Sequence, residues 1–359
     1  MRIIKLDGLR GFFCLMVVIF HYNKEFLPEM IHNNFFIRQS NTFVDFFFVL
    51  SGFVISSNYN KIDSSQEFWI YLKKRFIRLY PLLIFSTTLC LLLFLIFTNF
   101  QETEKVKAII FSYIDTVLFL NSTELLNDQY TILENNLGLN YPSWSISAEM
   151  ISYLVFGLTT LFFVGKRKSV ALLLIFAFCI AFCLYKEAFY FSGEFGFIRG
   201  LMSFITGYFV FILSKKIFEL SKYFEIILVP TLLAIFYFIN DASAYNKSIL
   251  SLIFIPLFFG TAIFILLKTK GPLSYLLESK PISFLGTLSY SIYLNHALLI
   301  EVLPKNIFKL LHLEQNTLNM LMVLVFTLST IIIYSYFTYN FIEKRGGDYL
   351  KRILLKSKQ

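Results

Sequence analysis

Ten apolar runs of near-spanning length punctuate this chain, at 9–27, 43–58, 79–98, 145–165, 169–185, 195–214, 224–240, 248–267, 284–303 and 318–341. Crossing the hydrocarbon core of a bilayer takes roughly 20 residues of helix. Inside that core every backbone group must be satisfied within the segment, which leaves helices as the natural form for such runs. The expected fold is therefore an all-α polytopic membrane protein with about ten transmembrane helices. Composition agrees: 57% of residues are hydrophobic and 15% charged, against roughly 45–50% and 25% in soluble domains. That balance excludes a disordered chain and leaves no room for a sizeable soluble domain. The first twenty residues look superficially like a signal peptide, but no small-residue cleavage site follows them, so they read as a retained first span.

The net charge is +9, yet the Lys and Arg fall in short clusters between apolar runs. That is the pattern of cytoplasmic loops rather than of a nucleic-acid surface. Lys73, Lys74, Arg75 and Arg78 precede the third run, and Lys166, Arg167 and Lys168 follow the fourth; between them, 121–144 carries no Lys or Arg. A weaker apolar stretch at 108–120 should then not cross, and is expected to be interfacial or re-entrant. The remaining clusters alternate without conflict and put both termini in the cytoplasm. One membrane-embedded domain, 1–345, followed by a short basic tail, 346–359, is the economical organisation. Cys14, Cys90, Cys179 and Cys183 all lie within apolar runs and form no CxxC or metal-ligand spacing.

Ionisable residues at membrane depth are costly, and usually face a bundle interior or a wet cavity. Arg10 and His21 lie eleven residues apart, a displacement of about 20° around a helix and about 16 Å along it. One stripe thus carries a cation at the cytoplasmic mouth and an imidazole deeper in, although a helix anchor and a core histidine would look the same. Arg75 and Arg78 share a face at i, i+3, where two guanidinium forks suit phosphates. Ser145, Glu149 and Ser152 fall at i, i+4, i+7 and read as the wall of a polar pocket; Ser289, Tyr293 and His296 share that spacing and place a histidine mid-bilayer with hydroxyls on its stripe. Asp45 and Arg199 complete the buried charges, with an intramembrane ion pair as the alternative for both. No HExxH, GxSxG or Walker loop is present, so metal hydrolysis and ATP-driven transport lack support.

Together these residues resemble the integral-membrane acyltransferase-3 family. Leu6-Asp7-Gly8-Leu9-Arg10-Gly11 followed by His21 is similar to its opening motif, and Val44-Asp45-Phe46-Phe47-Phe48-Val49-Leu50-Ser51-Gly52-Phe53 to its second-span signature. Arg75-Phe76-Ile77-Arg78-Leu79-Tyr80-Pro81 resembles its Arg-x-x-Arg stretch, and Trp144-Ser145-Ile146-Ser147-Ala148-Glu149 its Trp-Ser-x-Ser-x-Glu element. Arg199 with Phe204 and Gly207, then Leu285–His296, then Phe341-Ile342-Glu343-Lys344 follow in the expected order. Here Arg345-Gly346-Gly347 stands where the family often has a proline.

The resemblance implies O-acyl transfer, usually of acetyl, from cytoplasmic acyl-CoA to a hydroxyl of a carbohydrate or glycolipid in a bacterial cytoplasmic (inner) membrane. No metal is expected and no nucleic acid; membrane lipids and a separate extracytoplasmic transfer protein are the partners that fit. By the same analogy Arg75, Arg78, Arg10 and Tyr80 would bind the coenzyme. His21 would be catalytic, as a base or as a transient acyl carrier, aided by Glu149 and Arg10. Asp45, Trp144, Ser147, Tyr293, His296 and Arg199 would shape the acceptor side. The rival class is a secondary transporter or flippase for a sugar-linked lipid, since buried His, Glu and Arg also build proton relays. Such proteins often carry inverted repeats with broken helices, and no repeat is found here.

Overall fold

The computed structural model describes residues 3–98, 103–126, 138–188, 190–216 and 219–355. Among them every regular element is helical. In chain order these are α1 (Ile4–His21), the short α2 (Glu29–His32) and α3 (Phe35–Arg38), α4 (Phe43–Asn58), α5 (Ser65–Phe97), α6 (Thr103–Val117) and α7 (Trp144–Phe162). There follow α8 (Lys166–Lys186), α9 (Gly196–Ser214), α10 (Phe224–Asp241), α11 (Ala244–Lys268) and α12 (Pro272–Leu277). The last are α13 (Lys280–Leu310), α14 (Thr317–Thr338) and α15 (Arg345–Leu355). Eight helices among the described residues are long and apolar enough to cross a membrane, as a multi-pass membrane protein requires. The helices α1 and α13 are not among the eight: α1 carries Lys5, Asp7 and Arg10, and the apolar stretch of α13 is broken by polar residues, Asn295 and His296 among them.

The chain divides into two compact units: Met1–Phe47 with Ser214–Tyr339, and Phe48–Leu213 with Asn340–Gln359. In the first unit α1 lies along α13. Contact is close because the residues at the crossing are small: a Cβ at Gly11 would stand 2.5 Å from the Gly286 backbone nitrogen, and one at Gly8 would strike the Leu277 carbonyl. Association of helices in lipid depends on such close backbone approach. Beside the crossing sits an aromatic core. Phe13 stacks on Phe43 with centroids 4.2 Å apart and meets Phe46 edge-on at 4.8 Å, while Phe46 and Phe43 pack on Phe259 and Phe236.

At the N-terminal end of α1 a polar knot ties the first unit together. The Glu225 carboxylate, almost wholly buried, accepts from Thr269 Oγ1 at 2.6 Å, Gly271 N at 2.8 Å, Ser274 N at 2.9 Å and Ser274 Oγ at 2.6 Å. Lys5 Nζ donates to the Thr269 carbonyl at 2.7 Å. A buried carboxylate is tolerated when its lone pairs are filled in this way.

In the second unit glycines again set the spacing. Gly52 of α4 abuts the Phe204 carbonyl of α9, and Gly207 of α9 abuts the Val49 carbonyl of α4. The third apolar run lies in a much longer helix than the sequence suggests. Ser64 caps α5 by accepting from Glu67 N, and the helix runs 33 residues, about 50 Å at 1.5 Å per residue. The Lys73–Arg78 cluster is therefore helical rather than a loop before a span. Helix α6, over the weak apolar stretch, has 15 residues, about 22 Å, which is short of a roughly 30 Å core. It ends where Phe119 takes a left-handed φ of 59° and Leu120 N bonds back to the Asp115 carbonyl at 2.9 Å. The segment beyond is pinned to the start of α7 by Asn121 donating to Ser143 Oγ at 2.8 Å and by Ser122 and Ser147 hydroxyls 2.8 Å apart. Most of this segment's zone, 127–137, lies outside the described residues.

The basic tail is also helical. A π-helical turn, Tyr339–Lys344, leads from α14 into α15. A Cβ on Gly346 would stand 2.9 Å from Pro81 Cβ of α5, so the two glycines after Arg345 let α15 lie close on α5. Residues 356–359 of the tail lie outside the described residues.

Candidate functional site

Two polar centres stand out, one in each unit. The first is built on the α1–α13 pair. His21, at the C-terminal end of α1, is partly exposed; His296 of α13 is fully buried. Their rings stack at 25° with centroids 5.2 Å apart, and His296 Nε2 lies 3.2 Å from His21 Nδ1. The two imidazoles thus share a hydrogen bond. Tyr293, one turn before His296, is buried 5.7 Å from its ring, and Phe47 packs 6.1 Å from Tyr293. Cys14 Sγ donates to the Ser289 carbonyl at 3.2 Å and fastens the same two helices between their glycine crossing and the histidines. Nearer the start of α1, the Arg10 guanidinium is 3.6 Å from the Asp7 carboxylate, both partly exposed. Asp45 is completely buried in the first turn of α4.

Ser289 turns to its own helix. Its hydroxyl bonds the Gly286 carbonyl of its own helix at 2.9 Å, the local alternative that serine readily takes inside a helix. Equal spacing on a stripe therefore gathered His296 and Tyr293, but not the serine.

The second centre surrounds Glu149 on α7. Its Oε1 accepts from Ser51 Oγ of α4 at 2.6 Å and from Tyr153 OH one turn along α7. The two hydroxyls are 2.8 Å from each other. Tyr71 OH of α5 holds the Tyr153 carbonyl at 2.9 Å. Arg75 projects its guanidinium over the ring of Tyr59, 5.4 Å from the centroid, and over that of Tyr153, 6.0 Å away, both within cation–π range. Arg75 Nε is buried and makes no hydrogen bond among the described residues. A guanidinium so placed has donor capacity left for an anion such as a phosphate. Arg78 is exposed, and Tyr80 is half-buried and stacked on Phe76 at 4.3 Å.

The other residues of the Glu149 stripe are spent on the backbone. Ser145 Oγ bonds the Pro142 carbonyl at 2.9 Å and Ser152 Oγ that of Ala148 at 2.8 Å. Ser51, Tyr153, Tyr71 and Tyr59 instead complete the centre. Tyr153 has a sequence signal in its i+4 spacing from Glu149; Ser51, Tyr71 and Tyr59 come from other parts of the chain.

The remaining expected acceptor-side residues in the second unit contact their neighbours as follows. Ser147 bonds the Phe119 carbonyl at 2.5 Å as well as Ser122. Trp144 packs 6.1 Å from Phe48 and beneath Arg199, whose Cζ is 5.3 Å from the indole. Arg199 is buried, donates to Tyr190 OH and to the Phe191 carbonyl at 3.3 Å, and so ties the chain before α9 to that helix. Among the described residues no three His, Cys, Asp or Glu side chains gather as a metal ion would need.

The chain is similar to "Protein 2 in picA locus" of Rhizobium radiobacter, with 30% identity over 161 residues, 42% of this chain and 78% of that protein. No solved structure matches it. A family model described as an acyltransferase domain matches residues 3–339, which take in both polar centres. The chain belongs to the acyltransferase-3 family.

Proposed function

We propose that this membrane acyltransferase moves an acyl group, acetyl by preference, from cytoplasmic acyl-CoA to a hydroxyl of a surface carbohydrate or glycolipid. The observation that carries this reading is the paired imidazole of His21, partly exposed, in a chain of this family. The paired imidazole supplies a proton acceptor at the end of a helix, which transfer to a weakly acidic hydroxyl needs. In the reaction the acceptor O–H gives its proton to His21, its oxygen bonds the acyl carbon, the C–S bond breaks, and the proton passes on to the coenzyme sulfur. Arg75 and Arg78 take the phosphates of the donor; the unused Nε of Arg75 and its aromatic bed fit that role. Arg10 and Glu149 assist, the first by its charge and the second through its carboxylate.

The reading includes about ten spans, both termini in the cytoplasm, residues 1–345 acting as one catalytic domain, and residence in a bacterial cytoplasmic membrane. Hand-over to an extracytoplasmic transfer protein fits acceptors that lie outside. The test uses purified protein, radiolabelled acetyl-CoA and a mixed glycan pool. Thiol release with label on glycan, absent from His21→Ala at equal protein yield, is the expected result. Full transfer by His21→Ala rejects the role of His21, and transport of a sugar-linked lipid without thiol release rejects the enzyme.

A further inference from the structure

We propose that the polar half of α5 and helix α15 together form a docking surface for anionic phospholipid headgroups. The inference needs no acyl transfer; it rests on the chain's spanning a membrane.

The two helices meet at a proline. Pro81 lies inside α5 and has no N–H, so it offers no helical bond to the Ile77 carbonyl. A Cβ on Gly346 would stand 2.9 Å from Pro81 Cβ, and one on Gly347 3.7 Å from the Ile77 carbonyl oxygen. Helix α15 therefore lies on this turn of α5. Ile77 and Pro81 share a stripe that continues towards the start of α5 through Lys74, Lys73 and Ile70, three, four and seven residues before Ile77. Under α15 the stripe is buried at Ile77 and Pro81. Beyond that point Ile70, Lys73 and Lys74 are exposed, and Trp69 beside them is 59% exposed.

Helix α15 repeats the pattern. Its two glycines take the α5 side. Tyr349 and Ile353, one turn apart, are 64% and 56% exposed. Arg345 and Arg352 flank Tyr349 at i−4 and i+3 and are exposed, as is Lys351. Arg345 Cζ lies 4.5 Å over the ring of Phe341. Asp348 is the one carboxylate of α15, set against these three cations.

Lipid is the occupant that this combination fits. Exposed Trp, Tyr and Ile interleaved with Lys and Arg mark helices at a membrane–water boundary, where the rings sit at headgroup level and the cations meet lipid phosphates. A lysine stem can run along apolar surface while its ammonium reaches out. Position agrees. Lys73 comes six residues before Leu79, where the apolar half of α5 begins, about 9 Å along the axis. That half lies in a helix apolar enough to span, so it carries the cations to the charged face of the bilayer. Charge complementarity then selects anionic over zwitterionic headgroups.

The chain has two tryptophans. Trp144 is buried, so Trp69 reports on this surface. The full chain is reconstituted in nanodiscs of phosphatidylcholine with a minor share of phosphatidylglycerol. Bromine is carried on the acyl chains either of the phosphatidylglycerol or of an equal amount of the phosphatidylcholine, and the signal of Trp69→Phe is subtracted. Quenching of Trp69 should be about twofold greater with brominated phosphatidylglycerol. The excess should vanish at high salt and in Lys73→Gln/Lys74→Gln. A second reporter, Tyr349→Trp in the Trp69→Phe background, should show the same excess and lose it in Lys351→Gln/Arg352→Gln. Lys305→Gln/Lys309→Gln, which removes as much charge from exposed positions of α13, should leave both unchanged. Equal quenching by the two lipids at both reporters, quenching by neither, or an excess that survives loss of the neighbouring cations in monodisperse protein would each overturn the proposal. The measurement uses no substrate, so its outcome is independent of the acyl-transfer reading.

Discussion

Ser51 Oγ stands 2.6 Å from Glu149 Oε1, and the same carboxylate oxygen accepts from Tyr153 OH. A residue of α4 and one of α7 thereby hold the Glu149 side chain from two directions. The carboxylate cannot swing freely, and its orientation depends on both hydroxyls.

Removing either hydroxyl should loosen that orientation without emptying the site. One such hydrogen bond contributes about 1 kcal/mol, so Ser51→Ala or Tyr153→Phe is expected to lower kcat about fivefold. Glu149→Gln, which removes the carboxylate, should lower it about 100-fold or more. Steady-state kinetics on the purified variants decide. A Glu149→Gln enzyme with parental kcat would show that the carboxylate is structural.

In the proposed function Arg75 recognises the donor. Arg75→Ala should raise the KM for acetyl-CoA about tenfold with little change in kcat, the signature of lost ground-state binding. Arg75→Lys should recover only part of it, because an ammonium lacks the planar fork and stacks poorly on Tyr59 and Tyr153. With acetyl-pantetheine, a donor without the nucleotide phosphates, the difference between Arg75→Ala and parent should vanish. A penalty that persists with this donor assigns Arg75 another role.

The Glu225 knot predicts a loss of stability rather than of chemistry. Glu225→Ala strips the acceptor from Gly271 N–H, Ser274 N–H and two hydroxyls. Each buried donor left unsatisfied costs about 1–3 kcal/mol. The unfolding midpoint in detergent should drop by about 5 °C or more, with the KM for acetyl-CoA unchanged in protein that remains folded. A midpoint equal to the parent's would mean that water satisfies those donors.

Gly11→Ala places a methyl 2.5 Å from Gly286 N and 2.8 Å from the Leu285 carbonyl carbon. Backbone on both sides cannot yield without separating α1 from α13. The histidine pair, further along the same two helices, should then be lost together with stability. The expectation is a lower unfolding midpoint and a lower kcat. A Gly11→Ala protein with both properties intact would show that the helices repack at no cost.

Much of this was readable from the residues in order. Arg10, His21, Arg75, Glu149 and His296 were singled out because charge in an apolar run is expensive, and the structure puts four of the five in or beside the two polar centres, with Arg10 against Asp7. The serines show what such reading leaves open. Ser145, Ser152 and Ser289 had the right spacing, yet a hydroxyl on a helix can bond the carbonyl three or four residues back, and spacing does not reveal which choice is made. The length of α5 was hidden as well. Hydropathy marks where a helix enters lipid, whereas α5 begins where Ser64 caps it, well before its apolar part.

Taken alone, the order of residues determined the solvent and the element type. Apolar runs of spanning length must be helices in lipid, because no water is there to satisfy an open backbone. It also determined which face of its own helix each polar side chain occupies. What only the tertiary structure decided is which faces meet. His21 and His296 are 275 residues apart in the chain, and Ser51 is 98 from Glu149. Helical periodicity specifies an azimuth about one axis and carries no information on the neighbouring axis. The neighbour is chosen where glycines let two backbones close to contact, as Gly11 and Gly286 do.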